Sequence, residues 1–186
     1  MKDEEEPFMK LRGILDFSMG NFLCLRGYAK YKKLSNASRG NDAIQRELIQ
    51  EHENNLADFL NHGEYRFFPE VILSTSMEFN NNFDQINIFY NSLQQKEQIK
   101  KIQFGYFGLK IRYQKFGEKE TKLAELSFDE KNILLNRIDG NHRLSAATQV
   151  KDDFKVPFCL LLFQTKQDEE QYSSVIFHNI NGELSS

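Results

Sequence analysis

Two kinds of apolar patterning recur in this chain, and each belongs to a different kind of strand. Val71-Ile72-Leu73, followed by Ser74 and Thr75, is a short and nearly continuous apolar run, the pattern of a central strand covered on both faces. Leu109, Ile111 and Tyr113 instead alternate with Lys110, Arg112 and Gln114, the pattern of a strand with one wet face. Gly117-Glu118 then turns the chain into a second run, Lys122 to Phe128, and the two read together as a hairpin.

The remaining segments mix both periods. Leu11 to Phe17 and Asn21 to Tyr28, split by Met19-Gly20-Asn21, predict a two-stranded opening, and the basic, polar stretch Lys30 to Gly40 a loop or short helix. Asn41 and Asp42 suit a helix start, after which Ile44, Leu48, Ile49, Leu56, Phe59 and Leu60 recur at mainly three- and four-residue steps until His62-Gly63. Met77 to Phe83, with Asn80-Asn81-Asn82, reads as a loop, and a weaker helix is expected over Gln85 to Lys101. Ile133-Leu134-Leu135 opens a strand that runs into Asp139-Gly140. Arg143 to Val150 is helix-like, with Leu144, Ala147 and Thr148 on one side. Phe154 to Phe163 predicts a strand, and Asp168 to Asn181 a helix whose acidic opening suits the helix dipole. Strands and helices follow one another at unequal intervals, which excludes an evenly alternating doubly wound sheet and a repeat array; the expected class is α+β with a mixed sheet.

At 186 residues and 40% hydrophobic, the chain suits one ordinary core. A net charge of -3 means that any nucleic-acid contact has to come from a local basic patch. Cys24 and Cys159 sit among apolar neighbours and read as buried reduced thiols, which fits a reducing cytoplasm. The acidic start Met1-Lys2-Asp3-Glu4-Glu5-Glu6 is unlike a signal peptide, and no run approaches the ~20 apolar residues of a membrane span. The expectation is a soluble, cytoplasmic protein with no membrane partner.

Chemistry concentrates at the joint where the strand ending in Ile138-Asp139-Gly140 hands over to a helix at Asn141-His142-Arg143. The first N–H groups of a helix lack partners within it and carry its positive dipole end, so such a joint is a natural seat for phosphate. Gly140 lets the backbone turn sharply, while His142 and Arg143 add side-chain donors; Asp139 is placed to orient His142 or Arg143, or to bind a nucleotide-associated Mg²⁺. The same residues also read as an Asp-Gly turn with Asn141 as a cap and solvated charge behind it. Cations at a helix start oppose the dipole, and Arg143 therefore hints at an anion.

Ile138-Asp139-Gly140-Asn141-His142-Arg143-Leu144 resembles the signature of the DGQHR-domain family, which includes the DndB-like proteins of DNA phosphorothioation systems; here Asn141 stands where the motif has Gln. Weaker matches at the family's spacing are Ile44-Gln45-Arg46 with the Phe68-Pro69 to Leu73 strand, and Phe177-His178-Asn179-Ile180-Asn181. The family is similar to the wider ParB/sulfiredoxin-like superfamily, in which a turn of this kind binds nucleotide phosphates. The resemblance implies a ParB/sulfiredoxin-like mixed sheet with flanking helices, with Gly140, Asn141, His142 and Arg143 as phosphate contacts and Gln45 and Arg46 as lining residues. It implies ATP or CTP, with Mg²⁺, as the ligand. Sulfiredoxins carry a cysteine where Asn141 stands, so their sulfur chemistry is not expected. Chains of the family extend well past the Phe-His-Asn-Ile-Asn element, so the expected organisation is an acidic flexible tail over residues 1–10 and a single domain over 11–186, either a natural short form or a truncated product lacking a C-terminal region.

A second candidate is the window Lys100 to Gly117, where Lys100, Lys101, Lys110, Arg112 and Lys115 interleave with Phe104, Tyr106, Phe107 and Tyr113. Cations and aromatics together hold a phosphate backbone and stack bases, although the alternation equally fits a strand with its aromatics in the core and its lysines in water. Lys30, Lys32, Lys33 and Arg39 form another basic cluster, read as a solvated loop. His52, His62, His142 and His178 show no zinc spacing, and no P-loop or nucleophile elbow occurs. The leading expectation is a nucleotide-binding, DNA-associated regulatory domain of a DNA-modification or defence system, with DNA and other proteins of that system as partners. The alternatives are a nucleotide hydrolase or phosphotransferase, a weak NTPase using Asp139 and His142 as catalytic groups, and a DNA-binding transcriptional regulator whose turn is structural.

Overall fold

The computed structural model describes residues 8–18, 22–40, 50–77 and 99–182. Among them, β1 (Met9–Ser18) and β2 (Phe22–Lys30) lead into α1 (Tyr31–Asn36), β3 (Ser38–Gly40), α2 (Gln50–His62) and β4 (Val71–Ser76). Then come β5 (Ile99–Phe104), β6 (Phe107–Phe116), β7 (Lys119–Phe128) and β8 (Leu135–Asp139). α3 (Asn141–Ser145) continues as a 3-10 turn (Ala146–Gln149), and β9 (Lys155–Phe163) and α4 (Lys166–Ile180) complete the described chain. The strands form one mixed sheet in the order β3-β8-β4-β9-β2-β1-β7-β6-β5. Only β3 with β8 and β4 with β9 pair in parallel; the other neighbours are antiparallel. The class is therefore α+β with a mixed sheet.

The two strand patterns take the positions their chemistry demands. β4 lies between β8 and β9. Its Val71 and Leu73 enter the main core, while Ser74 lies buried toward α4, where it reaches Glu169. β6 buries Phe107, Leu109 and Ile111 and leaves Lys110 and Arg112 exposed. The main core joins Leu11, Leu25, Leu73, Leu109, Leu126 and Phe158 from the sheet with Tyr31 and Leu144. Each such side chain stabilises the fold by about 1.5–3 kcal/mol relative to exposure. A smaller cluster on the other face, Cys24, Ile138, Cys159, Leu161 and Phe163, packs against Ile176 and Phe177 of α4.

α4 packs on β4, β8 and β9. Thr165 caps it by accepting from the Asp168 N–H at 3.0 Å. The buried carboxylate of Glu169 fastens it to the sheet, accepting from Ser74 Oγ and Asn136 Nδ2, each at 2.7 Å. At the middle of the sheet Gly13 faces Gly27, and a Cβ on Gly13 would stand 2.1 Å from the Arg26 carbonyl oxygen. Beyond this pair β1 continues along β7 and β2 along β9.

Several boundaries differ from expectation. Met9 and Lys10 belong to β1, and Met9 is buried, so the sheet claims the end of the expected acidic tail. Ile99 to Lys101 is edge strand rather than helix, because pairing with β6 supplies the partners that a weak local helical pattern lacks. Thr148 points to solvent while Leu144 and Ala147 are buried, since the tighter winding over Ala146–Gln149 rotates it off their side. The start of the capped helix (Asn41, Asp42, Ile44, Leu48, Ile49), the Asn80–Asn82 loop and most of the weaker helix lie outside the described residues. Among the described residues no helix is long and apolar enough to cross a membrane.

Candidate functional site

β8 carries the turn that was singled out in the sequence. Gly140 adopts φ 89° and ψ 20°, the left-handed region, and a Cβ there would sit 2.6 Å from Val71 Cγ1. Only glycine meets both conditions without strain. The Gly140 carbonyl accepts from the Leu144 N–H at 2.9 Å and starts α3, whose Leu144 is fully buried.

Arg137, two residues before Asp139, is the organising group of this region. It is 7% exposed and projects to the face that carries α1 and α3. Nε donates to Ser38 Oγ at 3.0 Å; Nη1 donates to Asn141 Oδ1 at 3.1 Å and Ser145 Oγ at 3.0 Å. Nη2 donates to the carbonyls of Ser35 at 2.9 Å and Ser38 at 3.1 Å. One guanidinium thus ties α1, β3 and α3 together. Burial pulls its pKa down to about 10, with Tyr31 and Glu53 opposing, so it stays charged at neutral pH.

Asn141 is buried and spent on Arg137, and it packs against Gly40, where a Cβ would fall 3.0 Å from its Oδ1. Arg143 Nη2 meets Asp139 Oδ2 at 2.9 Å across the Gly140 turn, and Nη1 donates to the carbonyls of Pro69 and Glu70. Its guanidinium also lies 5.6 Å from the centre of the Phe68 ring. Of the two groups that Asp139 was placed to orient, the geometry pairs it with Arg143. The unfavourable cation at the helix start is answered by Asp139 and two carbonyls within the chain. Burial lowers the Arg143 pKa from its ordinary value, against the pull of Asp139. The Arg143 carbonyl in turn accepts from the Tyr31 hydroxyl, and Tyr31 stacks on Phe154 with centroids 5.2 Å apart.

His142 is half-buried and stands edge-on to His52 of α2, centroids 6.0 Å apart. Its Nδ1 is buried and, among the described residues, has no hydrogen-bond partner. Gln45 and Arg46 lie outside the described residues. Among the described residues no group of three or more His, Cys, Asp or Glu is arranged to hold a metal ion. Asp139, the group placed for Mg²⁺, is engaged by Arg143.

The basic window does not form one surface. Strand alternation sends Lys101, Lys110 and Arg112 to one face of the sheet and Lys100 and Lys115 to the other. Phe107 and Tyr113 turn inward, away from Lys110 and Arg112; Tyr106 is exposed in the β5–β6 turn. Lys32 and Lys33 are on α1 and Arg39 on β3, toward the far edge of the sheet from β6. Cys24 and Cys159 are both buried on neighbouring strands, and neither forms a disulfide. The Cys24 thiol first, and then burial, raise Cys159 well above the ordinary thiol range.

Arg137, Tyr31, Ser35, Ser38 and Phe68 were not picked out as contributors to the turn. Arg137 had a visible signal: a charged residue between Leu135 and Ile138 in an apolar strand run needs buried partners. The serines had none, because they are brought in from roughly a hundred residues away. No protein-family model, curated protein or solved structure matches this chain.

Proposed function

We propose that this chain is a nucleotide-binding regulatory domain of a DNA-modification or defence system, similar to the DndB-like proteins and of ParB/sulfiredoxin-like fold. The observation that supports this reading is the buried Nδ1 of His142, without a hydrogen-bond partner among the described residues, at a left-handed glycine turn braced by hydrogen bonds from Arg137 and Arg143. A buried ring nitrogen without a partner costs about 1–3 kcal/mol, and a phosphate-bearing ligand at the turn supplies one. In this reading His142 and the N–H groups of the turn face the phosphate, and Gln45 and Arg46 line the site. Arg143 keeps the turn in shape rather than gripping the ligand. ATP and CTP, with Mg²⁺, are the candidate ligands, and DNA and proteins of the same system the candidate partners. Binding comes ahead of hydrolysis, because Asp139 is held by Arg143 rather than turned toward His142.

The test is thermal unfolding with ATP or CTP and Mg²⁺. Ligand at 100 times Kd adds about 2.7 kcal/mol, which for a chain of this size raises Tm by roughly 5–10 °C. That shift is expected for wild type and lost in His142→Ala. If neither nucleotide stabilises the wild type, the reading is wrong.

A further inference from the structure

The described helices pack on β2, β3, β4, β8 and β9, and α4 covers the outer face of β4, β8 and β9. On β5, β6, β7 and β1 no helix among the described residues covers that same face. Its outward side chains Arg12, Ile14, Lys101, Lys110, Arg112 and Leu123 are exposed while their strand neighbours Leu11, Leu109, Ile111 and Leu126 are buried. Two rows cross this face. The register places Lys101 beside Lys110, Lys110 beside Glu125, and Glu125 beside Arg12. The neighbouring row runs Ile99, Arg112, Leu123, Ile14, and its apolar members are 53%, 36% and 50% exposed in that order.

We infer that this face is a binding surface for single-stranded nucleic acid, with the cations on phosphates and the apolar row against unstacked bases. The charge argues for a polyanion. In a chain of net charge -3, the described residues of this face include Arg12, Lys101, Lys110, Arg112 and Lys119 against Asp16 and Glu125. Arg12 already holds Glu125 at 2.6 Å, so that carboxylate is not left to neutralise Lys110. Lys101 and Lys110 stand directly opposite each other on antiparallel strands, a placement that disfavours the fold and that an anion relieves. The apolar row argues for a single strand. A duplex presents phosphates and groove edges to a sheet face and would leave Ile99, Leu123 and Ile14 with nothing apolar to cover them, whereas unpaired bases have exposed faces. The surface lies at the opposite end of the sheet from the Gly140 turn, and the inference does not depend on a nucleotide binding there.

Fluorescence anisotropy with a labelled mixed-sequence DNA strand of about 16 nucleotides tests it. The whole chain should bind, with a log-log salt slope of about -2 if Lys101, Lys110 and Arg112 each neutralise one phosphate. Lys110→Glu/Arg112→Glu should weaken binding at least tenfold. Lys115→Glu, on the same strand but the opposite face, should leave it within about twofold, and Leu123→Ser should weaken it without changing the salt slope. Melts by circular dichroism establish that each variant is folded. Absence of binding, equal loss in Lys115→Glu, equal affinity for a duplex of the same length, or binding to anionic lipid vesicles instead of the strand would each overturn the assignment.

Discussion

Arg137 Nη1 donates to Asn141 Oδ1 at 3.1 Å from the preceding strand, so the first residue of α3 is held by a buried cation. The same guanidinium reaches Ser35 and Ser38 from α1 and β3, which makes it a clamp across three elements rather than a local cap.

Removing that clamp should be costly. Arg137→Met leaves the Ser35 and Ser38 carbonyls and the Asn141 oxygen without their donor in a buried place, at about 1–3 kcal/mol for each group left unsatisfied. Urea melts should show a loss of about 3 kcal/mol or more, or roughly 6–12 °C in Tm. A loss under about 1 kcal/mol would contradict the clamp.

Gly140 and Val71 should be energetically coupled. Gly140→Ala places a methyl 2.6 Å from Val71 Cγ1 at φ 89°, so both strain and clash oppose it, and a loss of about 2–4 kcal/mol is expected. Val71→Ala removes the clash but not the strain. In a double-mutant cycle the pair should therefore show a coupling of about 1 kcal/mol or more, whereas simple additivity would mean the methyl finds room elsewhere.

Tyr31 sets an alkaline limit on stability. Burial raises its pKa above the ordinary phenol value, against the lowering effect of Arg137 and Arg143. A folded-state pKa above the unfolded one means that the folded form keeps a proton the unfolded chain gives up, so its contribution is complete below about pH 10 and declines as pH rises beyond that. Absorbance titration should show a late tyrosinate step that coincides with unfolding. Tyr31→Phe should reduce the late step; an unchanged late amplitude would show that Tyr31 ionises with the others.

α4 should loosen when Glu169 is truncated. Its Oε1 accepts from both Ser74 and Asn136 in a buried setting, so Glu169→Ala should cost about 2–3 kcal/mol. Glu169→Gln keeps an acceptor oxygen and should cost about 1 kcal/mol or less. Amide exchange along α4 should accelerate in the alanine variant well before global unfolding; protection that stays at wild-type levels would rule out the tether.

Much of this architecture was legible because it is written in short periods. The alternation around Leu109, the continuous run at Val71 and the apolar joint at Ile138 each specify a strand from a few residues, and β2, β4, β6 to β9 and α4 fall close to where those patterns put them. The Asp139 to Arg143 turn was likewise visible, since Gly140 and the helix start are local features. Ile99 to Lys101 is strand rather than the expected helix because an edge strand with weak periodicity is decided by its neighbour β6.

By itself the sequence determined the α+β class, the place of the turn and the alternation that separates Lys110 from Tyr113, because side-chain direction along a strand follows from its period of two. Only the tertiary structure decided what those groups meet. β3 lies parallel to β8 and brings Ser35 and Ser38 to Arg137, and α1 brings the Tyr31 hydroxyl to the Arg143 carbonyl. β1 supplies Arg12 and Ile14 to the face that β5, β6 and β7 begin. Partners separated by about a hundred residues depend on strand order, and strand order is set by which faces bury together, a property that no local window of the chain contains.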